Sequence, residues 1–308
     1  MPSNQSPLGA LPARFRRPRV LIVGCGDVGI RAAALLTASA RVYGLTSSAS
    51  RVAVLRERGI TALQGNLDQP ASLRRLAGVA THLIHMAPPP LQGHTDPRTR
   101  ALVQALMLRS APQSVVYGST SGVYGDCGGA WIVETQPLNP QTDRAARRVD
   151  AEVWLNAWGS RGFPRVNVLR IPGIYALDRE GGTPRERLQR STPVLQAADD
   201  VYTNHIHADD LARAAVLAMW RGNSLRPINV SDDSDLLMGD YMDLAADLWQ
   251  LPRPPRISRA QAPTALPAMT LSFMSESRRM HNQRLKTELR MRLRYPTVRE
   301  GLLGQPVF

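Results

Sequence analysis

The sequence predicts an α/β protein built on a doubly wound parallel sheet, with a smaller C-terminal lobe. Over the first 171 residues, short apolar runs alternate with helix-like segments of ten or more residues. A glycine-rich turn, Gly24-Cys-Gly-Asp-Val-Gly29, directly follows the first apolar run and opens a helix-like stretch. After Ile171 the alternation stops, and proline-rich irregular sequence takes its place.

Each predicted strand is a short apolar run, and each predicted helix fills the interval between two such runs. The strands are expected at 19–23, 41–45, 61–64, 82–86, 114–118 and 166–171. The helices are expected from the glycine-rich turn to Ser39 and at 49–58, 70–77, 95–109 and 142–158.

The second half of the chain predicts fewer regular elements. A helix is expected from His207 to Trp220, capped by Asp209 and Asp210, and a strand at 227–230. The segment 251–255, Leu-Pro-Arg-Pro-Pro, is expected to be a linker or loop. The spacing of Leu285, Leu289 and Leu293 predicts one face of a helix that packs the second lobe.

These elements divide the chain into three parts. Residues 1–19 form a basic tail, and residues 20–171 form the α/β domain, completed by about 205–235. Residues 172–204 and 236–308 are expected to assemble the second, substrate-binding lobe.

The composition is that of a globular protein: 43% of the 308 residues are hydrophobic and 20% are charged. No apolar run approaches the ~20 residues that a membrane span requires. Two cysteines do not make a disulfide framework. The N-terminus has no apolar segment typical of a secretory signal, so a reducing cytoplasm is the expected location.

The net charge of +13 raises the question of nucleic-acid binding. The excess lies in the tail, with Arg14, Arg16, Arg17 and Arg19, and in residues 276–300, which carry +5. No zinc-finger spacing, RNA-binding aromatic motif or basic zipper accompanies these segments. Nucleic acid is therefore not the expected partner, although a weak polyanion binder remains a third alternative.

The glycine-rich turn has the spacing and context of a Rossmann-type dinucleotide cradle. Gly24 allows the tight turn, Gly26 lets the backbone approach a pyrophosphate, and Gly29 lets the helix pack closely on the strand. The anion would lie at the helix N-terminus. Cys25 is expected to pack rather than to act as a nucleophile, because no histidine accompanies it.

The end of the second strand indicates which dinucleotide is preferred. Selection for NAD commonly uses a carboxylate there, on the ribose 2′-hydroxyl. This chain has Leu45-Thr46-Ser47-Ser48, followed by Arg51. Hydroxyls and a guanidinium suit a 2′-phosphate, which favours NADP over NAD. Alternatively, Ser47 or Ser48 caps the following helix.

Several later segments resemble, in order, the extended short-chain dehydrogenase/reductases, the NAD-dependent epimerase/dehydratase family. They are Gly65-Asn-Leu-Asp68, Met86-Ala-Pro88, Ser119-Thr-Ser-Gly-Val-Tyr-Gly125, Leu169-Arg-Ile-Pro-Gly-Ile-Tyr175, His205-Ile-His-Ala-Asp-Asp210, Ser277-Arg-Arg-Met-His-Asn282, Glu288-Leu289 and Tyr295-Pro296. The resemblance covers about residues 20–303. Together with the turn and the second strand it implies cofactor contacts by Gly24, Gly26, Asp27, Val28, Gly29, Thr46, Ser47, Arg51, Asn66, Leu67, Met86, Ala87, Pro88, Arg148, Pro172 and Ile174.

The chain departs from the family at its catalytic pair. The family uses a Tyr and a Lys four residues apart on one helix, with a nearby Ser or Thr, and the hydroxyl position maps onto Thr120. The Tyr and Lys positions hold Arg144 and Arg148, and the only lysine of the chain is Lys286. A guanidinium cannot donate or accept a proton near pH 7.

The two arginines allow two interpretations. Arg148 is expected to contact the cofactor ribose and Arg144 to suit an anionic ligand. Alternatively, both form surface pairs with Asp143, Asp150 or Glu152. The remaining acid/base candidates are Tyr124, Glu134, His94 and His207, while Asp209 and Asp210 are expected to cap a helix.

Two functions follow from the resemblance. The first is an NADP-dependent oxidoreductase, epimerase or dehydratase with a substituted acid/base, acting on a small, anionic or nucleotide-linked substrate. The second is a dinucleotide-binding sensor or regulatory protein without turnover. The resemblance also suggests a homodimer through the helices at 95–109 and 142–158. No metal-ligand spacing is present.

Overall fold

The computed structural model describes residues 17–162 and 164–308. Most of the predicted basic tail, including Arg14 and Arg16, lies outside the described residues. Arg19 begins the first strand, where its backbone nitrogen donates a hydrogen bond of 3.0 Å to the Thr81 hydroxyl.

Short strands make up one large sheet and four small two-stranded ones. The strands are β1 (Arg19–Val23), β2 (Arg41–Thr46), β3 (Thr61–Gln64), β4 (His82–His85), β5 (Ser114–Thr120), β6 (Trp131–Ile132), β7 (Arg165–Ile171), β8 (Gly173–Tyr175), β9 (Val194–Leu195), β10 (Tyr202–Thr203), β11 (His205–His207), β12 (Arg226–Asn229), β13 (Leu236–Leu237), β14 (Arg256–Ile257) and β15 (Arg279–Met280).

Helices alternate with the strands of the large sheet and then build the second lobe. The helices are α1 (Asp27–Leu36), α2 (Arg51–Glu57), α3 (Pro70–Leu73), α4 (Pro97–Met107), α5 (Asp143–Gly159), α6 (Arg185–Gln189), α7 (Ala208–Arg221), α8 (Met238–Leu248), α9 (Ala262–Ala265), α10 (Ala268–Met274), α11 (Gln283–Thr287) and α12 (Val298–Leu303). Short 3-10 turns lie at 74–76, 121–124 and 197–199.

The large sheet has the doubly wound topology that the sequence predicts. Its strand order is β12-β7-β5-β4-β1-β2-β3, and every neighbouring pair is parallel. The order reverses at β1, where Val23 pairs with Leu45 of β2 on one side and with His85 of β4 on the other. In sheets of this kind ligands bind beyond the carboxyl ends of the strands at the reversal.

Both faces of the sheet are covered, so alternate residues of one strand enter different cores. Val20 and Ile22 of β1 pack with α1 and α7, whereas Leu21 and Val23 pack with α4 and α5. All four side chains are fully buried. This double burial explains why the strands are uninterrupted apolar runs in the sequence.

The helix predicted from the leucine spacing near the C-terminus is wrong. α11 ends at Thr287, so Leu289 and Leu293 lie in irregular chain, and Arg290 there has φ of +51°. All three predicted leucines are buried in the core that α1 and α7 share with the sheet, not in the second lobe. Burial against this core, rather than helical periodicity, accounts for the spacing.

The predicted caps of α7 are also wrong. The N-cap residue is His207, whose ring accepts a hydrogen bond from the Asp209 backbone nitrogen. Asp209 and Asp210 lie in the first turn. Asp210 is fully buried, where it pairs with Arg213 at 2.6 Å and accepts backbone N–H bonds from residues 294 and 295.

The second lobe has its own small cores. α8 packs with α6 and α12 around Tyr175, Met242 and Val298, and the 251–255 segment is irregular, as predicted. Within the described residues no helix is both long enough and apolar enough to cross a membrane.

Candidate functional site

The candidate site lies where β1 ends and α1 begins. The glycine-rich turn joins the two, and two open cavities adjoin it, one on each side of Gly24 and Gly26. Both cavities are at the carboxyl edge of the sheet at the topological reversal, where the fold itself favours ligand binding.

The turn requires glycine at two positions and leaves the third open. Gly24 has φ of +92°, and a Cβ there would overlap the backbone nitrogen of Ala87. A Cβ at Gly29 would overlap the carbonyl oxygen of Gly24. At Gly26, by contrast, a Cβ would meet nothing within 4 Å. The open space beside Gly26, at the start of α1, fits the close approach of a pyrophosphate.

The first cavity has a volume of about 310 Å³ and extends from the turn towards α5 and β8. It brings together the residues expected around the nicotinamide half of a dinucleotide. Its lining residues are Gly24, Gly26, Asp27, Val28, Gly29, Met86, Gly118, Ser119, Thr120, Arg148, Ile171, Pro172, Ile174, Arg179 and Leu211.

The second cavity, of about 360 Å³, extends from the turn towards β2 and β3. It brings together the residues expected around the adenosine half. Its lining residues are Val23, Gly24, Cys25, Gly26, Leu45, Thr46, Ser47, Arg51, Gly65, Asn66, Leu67, Asp68, Ala87, Pro88 and Arg98. The two cavities thus include every residue that the sequence assigns to cofactor binding.

Arg51 is held against the glycine-rich turn. Its Nη2 donates a hydrogen bond of 2.7 Å to the carbonyl oxygen of Cys25. The hydroxyl of Thr46 accepts a hydrogen bond from the backbone nitrogen of Ser48, which shapes the end of β2. Neither Ser47 nor Ser48 caps α2: its N-cap is Ser50, with no side-chain capping bond.

Asp68 is the one carboxylate that lines the second cavity. Arg98 binds it through two hydrogen bonds of 2.6 and 2.7 Å and also donates to the carbonyl oxygens of Pro88 and Pro89. The hydrogen bond from Arg98 lowers the pKa of Asp68. The pair connects the chain after β3 to the chain after β4 across the cavity.

Arg148 lies on the wall of the first cavity, and among residues 17–162 and 164–308 it has no carboxylate in a salt bridge. Its Nη1 donates to the carbonyl oxygens of Gly118 and Ala87, at 2.8 and 3.3 Å, and to the Tyr117 hydroxyl at 3.0 Å. Burial raises the pKa of Tyr117 to about 12, although the adjacent Arg148 acts in the opposite direction. The structure therefore holds the positive charge of Arg148 at a fixed position on the cavity wall.

A buried histidine lies near this guanidinium. His85, at the end of β4, is buried, and its Nε2 lies 2.9 Å from the Thr99 hydroxyl. Burial and, to a smaller extent, the charge of Arg148 lower the pKa of His85 to about 3. Near neutral pH the imidazole therefore adds no second positive charge beside Arg148.

Two hydroxyls face the same cavity from the end of β5. Thr120 accepts a hydrogen bond from the backbone nitrogen of Gly122 and remains partly accessible. Ser119, which the sequence analysis did not single out, donates a hydrogen bond of 2.5 Å to Glu152. Glu152 is buried and paired with Arg170 at 2.9 Å, so it is not a surface partner of Arg148.

Arg144 lies one helical turn before Arg148, outside the two cavities. Its guanidinium stacks on the ring of Phe273 in α10, at 4.9 Å from the ring centroid. In the described part of the chain Arg144 has no carboxylate partner. The contact joins α5 to α10.

The structure does not bring Tyr124 or Glu134 to the cavities. The Tyr124 hydroxyl donates to Asn229 at 2.6 Å and accepts from Arg170 at 3.0 Å, and burial raises its pKa to about 12. Glu134 is buried and accepts a bond from the backbone nitrogen of Asn229. Both belong to a buried polar network that joins β7, β12 and the 121–124 turn.

The other acid/base candidates are also elsewhere. His94 is exposed, with its Nδ1 3.2 Å from Asp143, and His207 caps α7, where burial lowers its pKa. Burial raises the pKa of Cys25 to about 11, in agreement with a packing role. Among the residues the structure describes, no group of His, Cys, Asp and Glu side chains could hold a metal ion.

Comparisons with known proteins relate the chain to one domain model and to several solved structures. The TrkA-N domain, a Rossmann dinucleotide-binding module, matches residues 20–84, which run from β1 into β4 and include the glycine-rich turn. A functionally unknown conserved protein from Silicibacter pomeroyi is 30% identical, with 93% of this chain and 97% of that chain covered and a TM-score of 0.79. The chain belongs to the same family as this Silicibacter pomeroyi protein. The match to a Rossmann NAD-binding domain indicates a nicotinamide dinucleotide as the cofactor class.

More distant structures share the epimerase/dehydratase fold. A protein assigned to the NAD-dependent epimerases/dehydratases from Methylobacillus flagellatus is 22% identical, over 94% of this chain and 97% of that one, with a TM-score of 0.70. UDP-glucose 4-epimerase from Thermotoga maritima, solved with UDP-glucose, is 15% identical over 92% and 96%, with a TM-score of 0.76. No curated protein matches the sequence of this family member.

The sequence predicts no role in the site for Arg98, Arg179, Ser119 or Leu211, which all line the cavities. Arg98 and Arg179 come from a helix and a turn that carry no motif, and their carboxylate partners, Asp68 and Asp27, are distant in sequence. Ser119 stands next to the hydroxyl that the family match selects. Leu211 lies in α7, and only the packing of α7 against α1 brings it to the cavity.

Proposed function

We propose that this protein binds NADP(H) across the two cavities and transfers a hydride between its nicotinamide and a small, nucleotide-linked substrate. The adenosine half would occupy the cavity that extends from the turn towards the ends of β2 and β3, the pyrophosphate the glycine-rich turn, and the nicotinamide half the cavity beside Arg148. The observation that carries the proposal is the meeting of two cavities at a turn whose central glycine faces open space.

The preference for NADP rests on the charges around the adenosine cavity. Thr46, Ser47 and Arg51 line it at the end of β2, where a 2′-phosphate would lie. The carboxylate of Asp68 is already neutralised by the two hydrogen bonds from Arg98, so it does not compete for a ribose hydroxyl. Arg51 has further N–H donors beyond the one bound to Cys25, and they suit a phosphate.

The residues around the first cavity would bind and orient rather than exchange protons. A bound nicotinamide would supply or accept the hydride, and the proton that accompanies it would be exchanged with water in the open cavity. Arg148 would hold the adjoining ribose from its fixed position, and the Thr120 hydroxyl would donate a hydrogen bond to a substrate oxygen. The nucleotide-linked substrate class is inferred from the Thermotoga maritima epimerase structure, which contains UDP-glucose.

A second candidate function is a dinucleotide-binding sensor without turnover. The first cavity is lined by hydroxyls, two arginines and Asp27, and Asp27 is engaged by Arg31 and Arg179. None of these lining groups is an unpaired acid or base that could replace the tyrosine expected from the family resemblance. This observation favours binding without rapid catalysis.

The test combines selectivity and turnover. NADPH and NADH are titrated against wild-type protein and Arg51→Ala, and cofactor oxidation is followed with a panel of nucleotide-sugar and carbonyl compounds. NADPH preference that Arg51→Ala abolishes supports the assignment, and equal affinities in the wild type contradict it. Binding without oxidation of NADPH by any compound selects the sensor function.

A further inference from the structure

The turn that follows β8 brings two charged side chains to the glycine-rich loop. In this 176–182 turn, Arg179 Nη1 donates to Asp27 Oδ2 at 2.7 Å. The neighbouring Asp178 accepts from Arg31 Nη2 at 2.7 Å. Asp27 is the first residue of α1, and so these contacts connect the turn to the helix N-terminus beside the cradle.

Backbone hydrogen bonds within the 176–182 turn fix the position of the Arg179 backbone. The Arg179 backbone nitrogen donates to the Ala176 carbonyl oxygen at 3.4 Å, and the Arg179 carbonyl oxygen accepts from the Gly182 backbone nitrogen at 2.9 Å. Gly181 has φ of +61°, and a Cβ at Gly182 would come within 2.7 Å of the Arg179 Cβ. Both glycines are therefore needed for a turn this tight.

The guanidinium of Arg179 has N–H donors that are free to bind another acceptor. It lines the same cavity as Gly24 and Gly26, and its side chain is 30% exposed. Within residues 17–162 and 164–308, the Arg179 side chain makes one hydrogen bond, which is the bond to Asp27. Because a guanidinium has five N–H donors in a planar fork, most of them remain for another acceptor.

Asp27 does not depend on Arg179 for a partner. Arg31, one turn along α1, donates to Asp27 Oδ1 at 2.9 Å and also binds Asp178 and Asp209. If Arg179 turned away, Asp27 would keep its contact with Arg31. The arrangement allows Arg179 to change acceptors without leaving an unpaired carboxylate.

We propose that Arg179 is a ligand of the dinucleotide pyrophosphate and that binding exchanges its ion pair with Asp27 for this group. A pyrophosphate at the N-terminus of α1 would bring its charge close to the Asp27 carboxylate, and Arg179 is the cation on the cavity wall that can offset it. Asp27 then acts as the competing acceptor in the free protein. The inference rests on the proposed function, since it assumes that a dinucleotide occupies the cradle.

The test uses two substitutions with opposite expected signs. Arg179→Ala is expected to weaken NADPH binding about tenfold, because it removes a charged hydrogen bond to the ligand. Asp27→Asn is expected to tighten NADPH binding roughly threefold, because it removes the competing charge. 2′-AMP, which has no 5′-phosphate, should bind Arg179→Ala as it binds the wild type. Arg190→Ala, which removes an exposed pair with Glu186 in the same lobe, is the control.

A purely structural ion pair predicts another pattern. In that case Arg179→Ala and Asp27→Asn change NADPH affinity in the same direction, or not at all, and either result overturns the inference while leaving the dinucleotide site in place. If Arg179→Ala does not fold, tighter NADPH binding by Asp27→Asn still supports the exchange and unchanged or weaker binding rejects it. Failure of the wild type to bind NADPH or NADH overturns the proposed function itself.

Discussion

At the scale of single residues, Arg148 is held on the cavity wall by its own hydrogen bonds. A lysine would present one compact charge, whereas the guanidinium is anchored to two carbonyl oxygens and the Tyr117 hydroxyl. The anchoring holds the charge on the cavity wall, where a ribose can reach it. It also means that Arg148 contributes to the packing of β4 and β5.

Arg148→Ala should therefore affect both binding and stability. We expect NADPH affinity to fall about tenfold and the free energy of unfolding to fall by about 1–3 kcal/mol, because three buried acceptors lose a charged donor. Fluorescence titration and urea unfolding measure the two effects. Unchanged affinity in a folded Arg148→Ala variant would return this residue to a structural role.

A substitution at Gly26 should affect cofactor binding much more than folding. Its φ of −78° is accessible to any residue, and a Cβ there meets nothing within 4 Å. Gly26→Val should fold with a loss of about 1 kcal/mol, because valine is a poorer N-cap for α1 than glycine, yet it should lose NADPH binding because its side chain would fill the space for the pyrophosphate. Ala34→Val, on the exposed side of α1, is the matched control. NADPH binding retained by Gly26→Val would argue against the cradle.

At the scale of elements, the start of α7 shows what a local motif cannot reveal. Two acids at a helix start are typical capping residues, but Asp210 points inward and binds Arg213 and the backbone at 294 and 295. Arg213 is three residues away, but the backbone nitrogens at 294 and 295 are 84 and 85 residues away, so no sequence pattern identifies those contacts. The acid is thus a buried clamp between α7 and the C-terminal segment.

The contribution of Asp210 to stability can be measured as a change in the free energy of unfolding. Asp210→Asn is expected to lower the free energy of unfolding by about 2–3 kcal/mol, because it leaves Arg213 unpaired and one backbone donor unsatisfied. Asp240→Asn, in the first turn of α8 and exposed, should change it by less than about 0.5 kcal/mol. Chemical denaturation measures the free energy of unfolding of both variants. An equal decrease in the two would contradict this role for Asp210.

At the scale of the whole molecule, two buried histidines give stability a defined pH dependence. Burial lowers the pKa of both His85 and His205 from 6.5 to about 3. The unfolded chain therefore binds more protons between these values, and stability should fall as pH decreases from 6.5 towards 3. Asp232 acts in the opposite direction, because burial raises its pKa.

One substitution isolates the histidine contribution. His205 packs on Tyr241, with ring centroids 4.2 Å apart, so His205→Phe keeps an aromatic ring in place. The slope of unfolding free energy against pH between 4 and 6 should then decrease by about 1.4 kcal/mol per pH unit. Urea unfolding at a series of pH values measures it. An unchanged slope would show that His205 takes up no proton on unfolding.

The sequence was most informative where function depends on local backbone geometry. The turn from Gly24 to Gly29 could be predicted because one strand, one helix start and three glycines form it together. The contacts of Arg179, Arg98 and Glu152 could not, because each joins segments at least 18 residues apart through side chains that carry no motif. The helix predicted from the leucines near the C-terminus was wrong, because irregular chain that is buried against a core can have the same leucine spacing as a helix.

The most direct test is calorimetric titration of the full-length wild-type protein with NADPH and with NADH, after any bound nucleotide has been removed. We predict a single site for each, with NADPH bound about tenfold more tightly because of Arg51 and the hydroxyls of β2. Absence of binding by both dinucleotides, or tighter binding of NADH, would contradict the assignment of the two cavities to NADP(H).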